Sequence, residues 1–323
     1  MRRIQARGAQ PDTGHRPPAA PLVVKRLRGF LARARRESLD LVELVLIPGL
    51  AAVLPWPLCF RVFRWVAFHW RFLYREPCAR ALAQAHQRGW VDESTTWLAM
   101  RRLVTLVDHA DFYLERTRSD RWLQRHVDTD GHWTPPGKAA VWLTFHWGAG
   151  LWALRHAAAS GLTASFMVAS SHPDHFKGRT VLRHYVTRRN ASVTRLLGRP
   201  TIDVSAPLRP ALKVLQAHEQ LVAVVDVPSD QVAASQQIQL LGMPARVPRA
   251  LFRLAVERSI PVGVFLPGIC LSTGRRLLRL RDFGTPTDVD ALVNEVFAEL
   301  ERAITECPPA WHFWSEADRF FRA

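Results

Sequence analysis

Apolar positions along this chain change their period as the chain proceeds. Up to about residue 128 they recur at helical spacing, and from residue 139 short continuous apolar runs alternate with helical stretches. Trp97, Leu98, Leu103, Leu106 and Val107 fall on one helical face, so residues 79–128 are expected to be helical, and Pro135-Pro136-Gly137 closes that region. The runs at 139–145, 164–169, 221–227 and 260–266 read as strands. Residues 276–283, RLLRLRDF, alternate charge and apolar character as an edge strand would. Residues 287–305 put Val289, Leu292, Val293, Val296, Leu300 and Ile304 on one helical face, and a further helix is expected at 249–258. Strands alternating with helices predict an α/β fold, a largely parallel central sheet flanked by helices.

The N-terminal part follows other rules. Residues 1–24 are rich in Arg, Pro, Ala and Gly, offer no apolar face, and are expected to be a disordered basic tail. They lack the apolar core of a signal peptide, so export is not expected. Residues 25–38, KRLRGFLARARRES, set Leu27, Phe30 and Leu31 among arginines, the pattern of a solvated basic helix or of one that binds anionic headgroups. From Leu44 to Phe60 the chain carries no charge for 17 residues, the short limit for crossing a bilayer. Pro48, Pro55 and Pro57 favour a helical anchor that dips into the membrane over a clean span. In the next stretch, RVFRWVAFHWRFLYR, Trp65, Phe68, Trp70, Phe72 and Tyr74 are interleaved with Arg61, Arg64, Arg71 and Arg75. That mixture suits the headgroup level of a membrane, or equally a core helix with arginines reaching outward. Three segments result: the tail at 1–24, a membrane-anchor segment at 25–75, and an α/β domain at 76–323.

Composition narrows the partners. A net charge of +16 over 323 residues calls for an anionic partner or surface. The charge is spread along the chain, and no zinc spacing, helix-turn-helix signal or aromatic RNA-binding strand accompanies it, so no nucleic acid is expected. An anionic membrane lipid or an acidic carrier protein fits better. Cys59, Cys78, Cys270 and Cys307 are far apart with no ligand spacing, which points to a reduced cytoplasmic setting. His172 and His175 flank Pro173 in SSHPDHF, with no third ligand at suitable spacing, so no metal and no cofactor is expected.

The chemistry concentrates at Val141–Trp152, VWLTFHWGAGLW. An apolar strand ends in His146, and Gly148 and Gly150 mark a sharp exit towards a helix. Ligands are handled at the C-terminal ends of strands in open α/β sheets, so His146 is placed where a general base is useful. A satisfied histidine at a strand end is the plain alternative.

The order of features resembles that of the bacterial lipid A late (lauroyl/myristoyl) acyltransferases, within the wider lysophospholipid acyltransferase superfamily. The likeness covers roughly residues 38–318: an apolar N-terminal anchor, a helical segment, and a strand ending in His-aromatic-Gly. It continues through LVAVVDVPSDQ (221–231), LLGMPARVPRALFRLAVERSIPVGVFLPG (240–268) and CPPAWHFWSEADRFF (307–321). The family carries His-x4-Asp/Glu, in which the acid orients the histidine; here the acidic position is Leu151. Three readings follow. Another carboxylate reaches His146, with Asp226 first, Asp230 second and Asp174 third; or His146 works unassisted; or the chain only binds.

The resemblance implies a membrane-associated O-acyltransferase at the cytoplasmic face of the bacterial inner membrane. It would move an acyl group from acyl carrier protein or coenzyme A (acyl-CoA) to a hydroxyl of an amphiphilic acceptor. The alternative is a non-catalytic acyl- or lipid-binding member of a membrane synthase complex. Trp147 and Gly148 are candidate substrate-binding residues beside the base, the donor's acyl stem lying along residues 146–152. Arg246 and Arg249 precede a helix start and form a candidate anion site for a phosphopantetheine or lipid phosphate. Arg179, Arg183, Arg188 and Arg189 read as a solvated helix face or a dock for an acidic carrier. Trp311 and Trp314 read as packing residues.

Overall fold

The computed structural model describes residues 22–168, 176, 178–204, 208–228, 230 and 234–321. Of the tail read over 1–24, residues 1–21 lie outside the described residues, and helix α1 takes up at Leu22. The N-terminal part is helical. Helix α1 (Leu22–Leu41) passes through a π-helical turn (Val42–Leu46) into α2 (Ile47–Val53), followed by α3 (Trp56–His69), α4 (Arg75–Gln87), α5 (Ser94–Thr117) and α6 (Asp120–Arg125). Next come β1 (Val127–Asp130), β2 (Ala140–Thr144), α7 (Leu151–Ala159), β3 (Ala164–Val168), α8 (Thr180–Leu197), β4 (Ile202–Asp203), α9 (Arg209–Gln216) and β5 (Gln220–Val224). The chain closes with β6 (Ser235–Leu240), β7 (Met243–Pro248), α10 (Ala250–Glu257), β8 (Val262–Ile269), β9 (Arg276–Asp282), α11 (Val289–Glu306) and α12 (Ala317–Phe320).

Among the described residues the central sheet has seven strands in the order β1-β9-β8-β2-β5-β3-β4. Strands β8, β2, β5, β3 and β4 run parallel; β9 is antiparallel to β8, and β1 is parallel to β9. The expected mostly parallel sheet flanked by helices is therefore present. Strands β2, β5 and β8 are buried almost throughout because both faces of the sheet are covered there. Val141, Leu143 and Phe145 enter one apolar cluster with α10, α11 and the C-terminal segment, while Ala140 and Trp142 enter the other with α7 and α8. The period of two along β2 thus feeds two cores from one strand.

One expectation needs correction, and two further stretches take a form that the hydrophobic pattern does not give. Strand β9 is not an edge, because β1 pairs along its outer side. The four residues of β1, VDTD, carry too little apolar signal to stand out from the helical region before them. The stretch from 235 to 248 forms an antiparallel hairpin, β6–β7, closed by Leu241 and Gly242, both at positive φ (54° and 72°). A two-residue loop with both φ positive has the twist that hairpins favour. The charge-free run 44–60 is largely consumed in packing. Ile47, Ala51, Trp56, Cys59 and Phe60 are buried in a cluster with Leu103, Leu106 and Val107 of α5. Pro57 sits in the first turn of α3, where the missing N–H has no helical partner in any case, and Pro48 directly follows the π-helical turn within a helical run that continues through it. No described helix is long and apolar enough to cross a membrane.

Helix α3 keeps a second apolar face outside. Trp56, Cys59, Phe60, Phe63, Val66 and Ala67 point inward. Leu58, Trp65 and Phe68 lie on the opposite side with Arg61, and Phe72 follows; the four apolar residues are between 44% and 53% exposed.

Candidate active site

His146 and Asp226 are brought together by strand register. Strands β2 and β5 pair in parallel from Ala140↔Gln220 to Thr144↔Val224, and Val225 N–H still donates to Thr144 O at 3.0 Å. Continuing that register two residues past the last pair sets His146 beside Asp226. The contact is direct: His146 Nδ1 lies 2.9 Å from Asp226 Oδ1. The His146 backbone N–H also donates to both carboxylate oxygens, at 2.9 and 3.0 Å. Asp226 is fully buried, whereas the His146 side chain is 38% exposed. With Nδ1 facing the carboxylate, Nε2 is the ring nitrogen left to take a proton from outside.

Leu151 accounts for the missing motif acid. It opens α7, is 3% exposed, and packs in the apolar cluster that holds Trp152 and Leu154. A side chain there serves the core, and the carboxylate that meets His146 comes from the residues just after β5. Of the acids proposed from the sequence, Asp226 meets His146. Asp230 is exposed and pairs with Arg319 (2.7 and 3.1 Å). Asp174, with His172 and His175, lies outside the described residues.

The turn after His146 is tightly specified. Gly148 has φ +72°, and a Cβ there would fall 2.0 Å from Pro267 O, so only glycine fits. Each backbone N–H from 146 to 150 has a protein partner. After His146, the acceptors are Phe145 O for Trp147, Ala310 O for Gly148, Pro267 O for Ala149 and Asp108 Oδ1 for Gly150. This turn therefore presents no free amide between residues 146 and 150. Trp147 is packed over Gly268, where a Cβ would sit 3.0 Å from its ring, and its buried indole N–H has no partner among the described residues. It helps to wall a cavity of about 370 Å³, together with Leu266, Ile269, Leu271 and Leu277 and the ion-paired Arg279 and Glu306.

The C-terminal segment closes over the pair from the other side. Trp311 Nε1 donates to Asp226 Oδ2 at 2.9 Å, His312 N–H donates to His146 O at 2.7 Å, and the Phe313 ring lies 4.2 Å from the imidazole. His312 Nε2 donates to Gly148 O at 2.6 Å. Burial, with Arg101 close by, pushes the His312 pKa down to about 3, so this imidazole is neutral at ordinary pH. Asp108, beside the start of α7, is opposed by burial, but its bidentate pairing with Arg189 at 2.8 and 2.9 Å holds it below the usual carboxylate range.

The arginines behave differently from the site. Arg249 donates to Asp290 of α11 at 2.9 Å, and Arg246 is exposed on the hairpin with Nε 3.5 Å from Ser235 Oγ. The expected anion site at the start of α10 thus has one of its two cations engaged by a carboxylate. In the α8 cluster, Arg179 pairs with Asp40 and Arg189 with Asp108, leaving Arg183 and Arg188 exposed on that face. Sequence reasoning missed the roles of Trp311, His312 and Arg101. The signal for Trp311 and His312 was the dense aromatic ending WHFW, read as packing alone; Arg101, within α5, gave none. In comparison with known proteins, the chain matches no protein-family model and no curated protein.

Proposed function

We propose that this chain is a membrane-surface O-acyltransferase in which His146 is the general base and Asp226 its orienting acid. The observation that carries this reading is the His146–Asp226 pair itself, half open at the C-terminal edge of a parallel sheet. An acceptor hydroxyl gives its proton to Nε2 as its oxygen bonds to the carbonyl carbon of an acyl thioester. The tetrahedral adduct collapses by breaking the C–S bond, and the imidazolium returns the proton to the leaving sulfur. An ester and a free thiol result. Asp226 holds the tautomer with Nδ1 protonated and faces the imidazolium as it forms; general-base help of this kind contributes ~10²–10⁴-fold.

The donor is an acyl carrier protein or coenzyme A thioester, whose acyl stem would occupy the cavity walled by Trp147. The acceptor is an amphiphile delivered from the membrane, at the cytoplasmic face of the inner membrane, as in the lipid A acyltransferases the sequence resembles. The exposed face of α3 supports a docked protein over a spanning one. Its apolar side chains enter the acyl boundary while Arg61, Arg64 and Arg71, all exposed, meet anionic headgroups. Exposed Phe30 and Leu31 on α1 fit the same role.

The test is acyl transfer from a panel of acyl carrier and coenzyme A thioesters into membrane lipid extract, with wild type beside His146→Ala. Transfer by the wild type that disappears in the variant is the expected result. Donor binding without transfer by either protein would replace this reading with a non-catalytic lipid-binding role.

A further inference from the structure

We propose that Trp311 is a positioning residue for the His146–Asp226 pair, its indole N–H fixing the second carboxylate oxygen so that the first stays on Nδ1. The inference rests on the reading of His146 as the base. Asp226 follows β5 on an irregular stretch, so the strand ladder alone does not set its rotation. Three N–H donors do: the His146 backbone and ring on one side, and Trp311 Nε1 at 2.9 Å on the other. Without the indole, the carboxylate is held only by the residue it has to orient.

Trp311 is itself held from outside the sheet. The 3₁₀ turns Pro308–Ala310 and His312–Glu316 leave backbone carbonyls without helical partners. The buried guanidinium of Arg101 on α5 gathers three of them, donating to Pro309 O (3.0 Å), Trp311 O (2.8 Å) and His312 O (3.2 Å). On its other side the segment bonds to the turn after β2, through Gly148 N–H to Ala310 O and His312 N–H to His146 O. Helix α5, the C-terminal segment and the end of β2 thus form one closed frame around Asp226. Trp314 supplies the contrast. It is equally buried, packs 5.0 Å from Trp311 ring to ring, and donates its indole N–H at 2.7 Å, but to Pro308 O and not to the site.

The experiment compares wild type, Trp311→Phe and Trp314→Phe by NMR titration of the His146 imidazole, with thermal melts to confirm folding. The titratable and charged groups facing this imidazole are Asp226 after β5 and His312 on the C-terminal segment, with Arg101 and Asp108 of α5 behind His312. Phenylalanine keeps most of the ring and removes the N–H. More of the Asp226 charge then falls on Nδ1–H, which favours the imidazolium, so in Trp311→Phe the His146 midpoint rises by about one pH unit. Trp314→Phe leaves that midpoint in place although it also loses an indole hydrogen bond. A folded Trp311→Phe with an unmoved midpoint, or an equal shift in Trp314→Phe, would overturn the assignment. In the acyl-transfer assay, Trp311→Phe lowers kcat about tenfold near neutral pH and spares the donor KM. Absence of transfer by every form, with the midpoint shift intact, would count against the acyltransferase reading and leave the positioning role standing.

Discussion

Replacing Asp226 by asparagine separates charge from shape at the centre of the site. The carboxylate is fully buried and receives N–H donors on both oxygens: the His146 backbone on both, His146 Nδ1 on Oδ1, and Trp311 Nε1 on Oδ2. An amide of the same size offers one acceptor oxygen and one donor nitrogen, so at least one N–H must oppose another. If the oxygen stays on His146, the Trp311 indole loses its partner. If the oxygen turns to Trp311, the amide N–H faces Nδ1 and the imidazole proton moves to Nε2, where it blocks base catalysis. A buried donor without a partner costs about 1–3 kcal/mol, which for a chain of this size lowers Tm by about 1.5–4.5 °C. Loss of the orienting charge lowers kcat by ~10²–10⁴-fold. Both numbers come from one purified variant, by thermal melting and by transfer of labelled acyl groups from a carrier thioester. A folded Asp226→Asn that transfers within about threefold of wild type would refute the reasoning, because no orienting role survives that outcome.

Three further outcomes are expected. Leu151→Glu restores the acid of the family motif in sequence only; burying an unpaired carboxylate among Trp152, Leu154 and Phe112 costs at least about 3 kcal/mol and does not rescue Asp226→Asn, so rescued transfer in the double variant would be the contrary result. Acidification from pH 7 to 5 destabilises the fold. Burial holds His109 down to about 4 and His312 down to about 3, so below the ordinary value near 6.5 the unfolded chain takes up protons that the fold refuses. Each histidine removes about 2 kcal/mol over that window. Asp111, which burial raises to about 6 against its pairing with Arg276, works in the opposite sense and returns about 1 kcal/mol; urea melts at the two pH values should show a net loss, and greater stability at pH 5 would contradict it. Finally, Trp65→Ser with Phe68→Ser, both on the exposed face of α3, should leave stability within about 1 kcal/mol while lowering flotation with anionic vesicles about 10- to 100-fold. Unchanged flotation would remove α3 from the docking surface.

Local pattern carried much of the fold. Helix α11 was expected at 287–305 and spans Val289–Glu306, and the apolar runs 139–145 and 164–169 became β2 and β3. Each of these elements buries its own regular stripe, so its signal lies inside its own residues. The elements that escaped lack such a stripe. Strand β1 is short and polar, and β6, SQQIQL, buries only Ile238 and Leu240. The run 44–60 was visible as apolar, but hydropathy alone does not distinguish a face turned to lipid from one turned to α5. Packing put Trp56, Phe60 and Phe63 inside and left Leu58, Trp65 and Phe68 outside.

By itself the sequence determined the strand that leads to His146, the need for glycine just after it, and the absence of an acid at Leu151, the fifth residue after that histidine. It also narrowed the replacement acid to a few aspartates. Only the tertiary structure decided among them, because which residues become neighbours depends on strand order and register, and both are settled by long-range pairing. The sheet places β5 directly beside β2, and the register from Ala140↔Gln220 onward leaves Asp226 opposite His146 where the ladder ends. Trp311 arrives from the far end of the chain, carried by α11 and held by Arg101, so its N–H reaches Asp226 through contacts that no local pattern records.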